Sequence, residues 1–354
     1  MIVLSQIEKC PNLGINIFDA VARGELMSSL PWVTRRSSHG RLYHVLEPPV
    51  SRIHDGYLDC VVYLYPTAVD AEDGTRADGS GFLVGVPSKG LRQDFWFLYA
   101  VTNKHVIKNA TTLRLNSRDG KKTILPTVLS SWTVPPSGDD LAACLISFDP
   151  MDYKFNHVPR ATFLSKEIVK DFNIGPGDDV FMVGRFINHE GRQANLPTVR
   201  FGNIGQMPWE TIRQDDGFEQ ESFLVEVRSI GGYSGSPVFV FIPAASTRPG
   251  IKDWATPQKI LSSHGPWLLG IDWGYINNWE PVCGENGEPV NPGNPSAIQV
   301  KLNTGMAAAV PAWRLAELLD AGPLAAHRET VEREVREFEA KNPPVATMND
   351  GPSL

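Results

Sequence analysis

Long hydrophobic runs are missing from this chain of 354 residues. The longest, "FWFLYAV" at Phe95–Val101, has the length of a strand, and a membrane-spanning helix needs about 18 apolar residues. Cysteine is scarce. Cys10, Cys60, Cys144 and Cys283 lie far apart and none belongs to a C-x-x-C pair, which excludes zinc ribbons and thioredoxin-like motifs. Four thiols in so large a chain do not make a disulfide framework, and buried thiols in a reducing compartment are expected. Clustered metal ligands are missing too. His39 and His44 are the nearest histidine pair, with no third ligand beside them, so no metal site is expected. Positive charge is in deficit: 33 Lys and Arg stand against 40 Asp and Glu, a net charge of −7, with no dense basic run. That argues against nucleic acid as a partner. The opening "MIVLSQIEKCPNLG" has too short an apolar stretch for a signal-peptide core, so the expected location is cytoplasmic and off the membrane.

Turn formers are abundant, with 31 Gly and 28 Pro. Residues 1–56 read as an N-terminal extension, with a short amphipathic helix over Phe18–Leu30 and an extended lead-in at Glu47–Gly56. From Tyr57 the chain becomes short β-prone runs broken by turns, which suits antiparallel barrels. One set fills residues 57–155: Tyr57–Pro66, Gly79–Val86, Phe95–Asn103, Thr111–Asn116 and Leu141–Phe148. A second fills 156–310, from Asp178 through Pro197–Met207, Ser222–Ser229, Ser236–Phe241, Pro266–Tyr275 and Gly305–Val310. The predicted fold is mainly β: two antiparallel six-stranded barrels followed by C-terminal helices over 311–342. Pro311 suits the first helical turn and Gly322 the stop. Val331, Val335 and Phe338 share a narrow stripe on the second helix, whose charges read as a solvated face. Residues 343–354 read as a disordered tail.

Three short motifs carry chemistry. "GGYSGSP" places Ser234 between glycines at 232 and 235. Glycines there permit unusual dihedrals and close approach of a substrate carbonyl, yet a plain turn explains the same letters. A hydrolase elbow is excluded, because Pro237 and a strand follow where a helix should open. "YAVTNKHVIKNA" sets His105 just past an apolar strand, as either a structural or a catalytic imidazole. "SGDDLAACLI" sets Asp140 at the mouth of a strand, with Asp139 expected to be its solvated neighbour. A serine hydroxyl needs an imidazole to take its proton and an acid to orient that imidazole. Here the imidazole and acid belong to the first strand set and the serine to the second.

With these residues the chain resembles the chymotrypsin-fold serine peptidases, particularly the bacterial trypsin-like peptidases of the HtrA type, over about Tyr57 to Leu319. "GSGFLV", "VTNKHVI", "DDLAACLI", "GYSGSP" and "LLGIDWG" carry the likeness in that order. The resemblance implies a serine endopeptidase acting on a protein or peptide substrate, with His105, Asp140 and Ser234 as triad and no metal or organic cofactor needed. It implies an oxyanion hole from the N–H groups of Gly232 and Ser234, and a substrate-pairing strand at Ile271, Asp272, Trp273 and Gly274. The family often sets its pocket-floor residue six before the serine, which is Arg228 here: pointing into the pocket it favours an acidic P1 residue, and facing outward it pairs with a surface acid. Two positions depart from the pattern. Tyr233 stands where secreted digestive members carry an Asp that pairs with a newly cut N-terminus, and Ser236 replaces a glycine. The C-terminal helices leave too few residues here for a PDZ domain, so none is expected within this sequence. The alternative is a peptide-binding pseudoprotease of the same fold, and a protein activator or regulator is an open partner.

Overall fold

The computed structural model describes residues 32–36, 42–46, 52–91, 95–120, 122–148, 151, 153–187, 189, 191–213, 217–227, 229–242, 265–290, 293 and 298–341. The helix expected over Phe18–Leu30, residues 47–51 of the lead-in at Glu47–Gly56, and the tail lie outside them. Met1–His54 and Asp55–Leu354 form two compact units. The first contains an antiparallel hairpin of β1 (Trp32–Arg36) and β2 (Leu42–Leu46).

The second unit opens with α1 (Asp55–Asp59) and β3 (Val61–Tyr65). The strand expected from Tyr57 thus starts four residues late. The Tyr57 ring meets Phe181 and Phe239 edge-on, with centroids 5.3 and 4.9 Å away, and this aromatic packing draws the start of the run out of the sheet. Next come α2 (Ala68–Asp73), β4 (Gly79–Pro87), β5 (Trp96–Thr102), α3 (Lys104–Ile107), β6 (Thr112–Asn116), β7 (Lys122–Pro126), β8 (Trp132–Thr133), β9 (Ala142–Ile146) and β10 (Val158–Pro159). They pair in the order β7-β6-β3-β4-β5-β9-β8, with β10 parallel to β4. Most are rich in aromatic and β-branched residues, which fit a half-buried pleated surface. The first barrel is a curled sheet whose end strands β7 and β8 do not pair with each other. β8 has only two residues, too few to close a ring.

The second set does close. After α4 (Lys166–Asp171), a barrel forms from β11 (Asp179–Gly184), β12 (Thr198–Gln206), β15 (Phe223–Glu226), β16 (Pro237–Val240), β17 (Trp267–Pro281) and β18 (Gln299–Pro311). A side hairpin of β13 (Thr211–Arg213) and β14 (Glu219–Glu221) interrupts it. Strands β17 and β18 both outrun their sequence-based spans, staying paired out to Pro281 and Gln299. Each barrel has its own core. Val62, Leu83, Ala100, Val106 and Ala142 belong to the first; Val180, Phe223, Tyr233, Val238 and Leu269 belong to the second.

Two helices end the fold, α5 (Ala312–Asp320) and α6 (Gly322–Lys341), separated by Ala321, with Gly322 opening α6 at φ +61°. α5 buries Leu315 and Leu319, each contributing about 2 kcal/mol. Most charged residues of α6 are exposed, as a solvated face requires, but Arg328 and Glu332 are not. Glu332 is buried and accepts from Ser88 Oγ at 2.6 Å and Lys89 N at 2.8 Å. Arg328 donates to Tyr99 Oη at 2.9 Å and to the Leu319 carbonyl at 2.7 Å. Phe338, expected on the apolar stripe, is 67% exposed. Val331 and Val335 are half-buried, so the inward face combines polar partners on the β4–β5 side with two residues of the apolar stripe.

Candidate active site

His105 sits in α3, a single turn closing strand β5. The residues that follow it, Val106 and Ile107, are core members and anchor the turn to the first sheet. Asp140 immediately precedes Leu141 and Ala142, which are also fully buried. The two anchors bring Asp140 Oδ2 to 2.6 Å from His105 Nδ1, and Oδ1 accepts the His105 backbone N–H at 2.9 Å. One carboxylate therefore holds both the ring and the main chain of the histidine. Asn103 Nδ2 donates to the Asp140 carbonyl at 2.8 Å, fixing the acid to the same turn. The acid is 6% exposed, whereas the imidazole side chain is 44% exposed.

Ser234 follows Tyr233, a core residue of the second barrel with no exposed surface. The Tyr233 hydroxyl is hydrogen-bonded to Thr198 Oγ1, and the Arg200 guanidinium stacks 4.8 Å from its ring centroid. The loop is two successive turns, closed by Tyr233 N to the Ile230 carbonyl at 3.3 Å and Ser236 N to the Tyr233 carbonyl at 2.8 Å. Gly232 and Gly235 occupy the third position of each, at φ +95° and +87°, where a side chain is strained. Among the described residues, the N–H groups of Gly232 and Ser234 have no intramolecular acceptor, while those of Tyr233 and Gly235 do. Ser236 sits against Gly184, where a methyl would fall 1.9 Å from Ser236 Oγ. The serine in place of glycine is thus accommodated by a glycine across from it.

The two halves meet at β4. Ser80 N donates to the Ser234 carbonyl at 2.8 Å, and Ser80 Oγ donates to the Gly232 carbonyl at 2.9 Å. Thr102 Oγ1, three residues before His105, donates to the Ser80 carbonyl at 2.7 Å. A methyl on Gly79 would touch both Val106, at 2.8 Å, and the Ser234 carbonyl, at 3.1 Å. The histidine turn and the serine loop therefore lie side by side. Among the described residues, Ser234 Oγ makes no hydrogen bond to His105 Nε2. Such contacts are often loose until substrate binds. Sequence reasoning passed over Ser80, although "GSGFLV" was in view; its clue was a lone serine between two glycines at the start of an apolar strand.

The expected substrate strand divides in two. Ile271 is fully buried and flanked by Pro237 and Val310. Asp272 is fully buried, its N–H donating to the Ser236 carbonyl at 2.9 Å and its carbonyl accepting from Gly235 N at 2.8 Å. Pairing with β16 ends there, leaving Trp273 and Gly274 half-buried beyond the enclosed part. The Asp272 carboxyl accepts from Ser229 Oγ at 2.9 Å. Burial pushes its pKa up to about 7, against the opposing pull of Ser229, the Gly274 N–H and the positive charge of His105. Arg228 lies outside the described residues. Asp139, expected in solvent, is 4% exposed, because Gln220 and Ser137 bond both its oxygens. Among the described residues no group of acids, histidines and cysteines is set to hold a metal, and no helix is long and apolar enough to cross a membrane.

No family model and no curated protein matches the chain. Among solved structures it is similar to a point variant of the HtrA-type protease AlgW with a tripeptide, at 16% identity and TM-score 0.40, covering 74% of this chain and 60% of that one. It is similar to Rv3671c from M. tuberculosis H37Rv in an inactive form, at 13% identity and TM-score 0.41, covering 81% and 95%. A third is Deg5, at 15% and 0.36, covering 62% and 81%. The chain spans about 60% of the length of that AlgW structure. Likenesses this weak carry nothing about chemistry. The strand pairing itself gives a closed barrel beside a curled one, with terminal helices. The fold is chymotrypsin-like.

Proposed function

We propose that this chain is a serine endopeptidase. The observation that carries the proposal is Asp140 gripping both the ring and the backbone of His105, beside a serine loop whose Gly232 and Ser234 N–H groups have no acceptor among the described residues. Ser234 Oγ attacks the carbonyl carbon of a peptide bond while His105 Nε2 takes its proton. The Gly232 and Ser234 N–H groups hold the negative oxygen that forms. The C–N bond then breaks, the imidazolium gives its proton to the departing amine, and an acyl-enzyme remains. Water, deprotonated by the same imidazole, releases the acid and restores Ser234. Asp140 keeps Nδ1 protonated and stabilises the imidazolium. Substrate backbone pairs along Trp273 and Gly274. The buried Tyr233 does what an N-terminal ion pair does elsewhere, so no cleavage is required to order the loop. An acidic P1 residue facing Arg228 is part of the proposal, and a peptide library lacking any Asp or Glu preference refutes that part.

The missing bond between Ser234 Oγ and His105 Nε2 favours a second reading, a peptide-binding protein that does not cut. A fluorophosphonate probe separates the two. Covalent labelling lost in both Ser234→Ala and His105→Ala supports the peptidase. Peptide binding without Ser234-dependent labelling supports the alternative.

A further inference from the structure

Asp140 is held by groups from both barrels, and the second barrel's contribution is one side chain. Gln220, on β14, has no exposed surface. Its Oε1 accepts the Asp140 backbone N–H at 2.9 Å, and its Nε2 donates to Asp139 Oδ1 at 2.9 Å. A primary amide accepts the backbone N–H with its oxygen and donates to the carboxylate with its nitrogen at once, without carrying charge. The next two residues extend the link. Glu221 Oε2 lies 2.7 Å from Arg314 Nε, and its Oε1 accepts from Trp313 Nε1 at 3.1 Å, both on α5. Arg314 Nε is also 3.8 Å from Asp139 Oδ2. Ser222 Oγ accepts from Trp273 Nε1 at 2.9 Å. Three consecutive residues thus reach the triad acid, the C-terminal helix and the strand that meets substrate.

We propose that Gln220 is a positioning residue for Asp140, and that α5 keeps it in register through Trp313 and Arg314. The proposal rests on the peptidase reading for its consequence in catalysis, but the geometry it describes belongs equally to a silent protein. Gln220 touches no reacting atom. It sets the height of Asp140 at the mouth of β9, and so the angle at which the carboxylate meets Nδ1. A buried amide in this place matters because the neighbouring Asp139 would otherwise be a buried acid with an oxygen unpaired.

The test compares Gln220→Met, Gln220→Glu and the double variant Asp139→Asn/Gln220→Glu in the full chain. The first removes both hydrogen bonds. The second sets two carboxylates face to face. The third restores one donor and one acceptor with their roles exchanged. Two readouts are taken on folded protein, confirmed by circular dichroism: the rate of fluorophosphonate labelling at Ser234, and the low-field proton resonance of the His105 Nδ1–H in histidine-labelled protein. Gln220→Met and Gln220→Glu are expected to label at least about tenfold more slowly and to shift or lose the resonance, with the double variant returning to within about threefold of the parent rate. A Gln220→Met protein with parental labelling and an unchanged resonance overturns the proposal, as does a double variant no better than Gln220→Glu alone. Should the parent protein fail to label while its resonance still responds to Gln220→Met, the peptidase reading falls and the positioning role stands.

Discussion

Asp272 Oδ2 accepts a hydrogen bond from Ser229 Oγ at 2.9 Å, in a place where the acid has no exposed surface. Its pKa is pushed up from 3.8 to about 7, chiefly because burial disfavours the charged form. The folded protein therefore keeps a proton there that the unfolded chain gives up from roughly pH 4. Stability falls as pH rises between roughly pH 4 and pH 7, by up to about 4 kcal/mol, and this loss is complete above that window. Asp272→Asn keeps an acceptor for Ser229 and removes the titration. Urea unfolding near pH 4 and near pH 8 is expected to show the variant gaining on the parent as pH rises; parallel curves refute the assignment.

Gly235 carries φ +87°, and a methyl there would fall 2.0 Å from the Ser80 carbonyl oxygen. Gly235→Ala must both strain its own backbone and push β4 away from the serine loop. A loss of about 3 kcal/mol is expected in chemical denaturation, with labelling of Ser234 abolished. Gly120, at φ +79° with nothing near its absent side chain, is the control. Gly120→Ala is expected to cost about 1 kcal/mol with labelling unchanged.

Glu332 fastens α6 to the β4–β5 side of the first barrel through Ser88 and Lys89. Glu332→Ala leaves the Lys89 N–H and the Ser88 hydroxyl without their carboxylate. About 2 kcal/mol of stability is expected to go, concentrated at the C-terminal helix. Limited proteolysis is expected to release that helix faster than in the parent protein; equal rates with an unchanged unfolding midpoint count against the contact.

Cys60 and Cys144 are buried, and burial raises their thiol pKa values to about 12 and about 11. Cys283 is exposed. Mapping of iodoacetamide adducts at pH 8 is expected to find Cys283 modified at least about a hundredfold faster than Cys60 or Cys144, since the thiolate is the reacting form. Comparable rates refute the burial.

Much of the plan was legible in the order of letters. Alternating and continuous apolar runs marked most strands, since a strand's side-chain period is a local property. The histidine, acid and serine stood out because each adjoins residues that could only be core: Val106, Leu141 and Tyr233. Local pattern also misled. Asp139 read as solvated because "SGDD" is good turn chemistry, and its partner Gln220 is about eighty residues away. Phe338 read as one stripe with Val331 and Val335, which are half-buried while it is exposed, because helical spacing shows which residues share a face but not how far the barrel covers it.

By itself, then, the sequence determined the strand set, the placing of His105 and Asp140 in one barrel and Ser234 in the other, and the glycines that let the serine loop bend. Those follow from backbone sterics and short-range apolar pattern. Only the tertiary structure decided that Ser80 pins the loop, that Ile271 and Asp272 are enclosed while Trp273 and Gly274 are not, and that an amide on β14 holds the backbone of Asp140. Each of those rests on pairing between segments far apart in the chain, and such pairing leaves no period in the sequence.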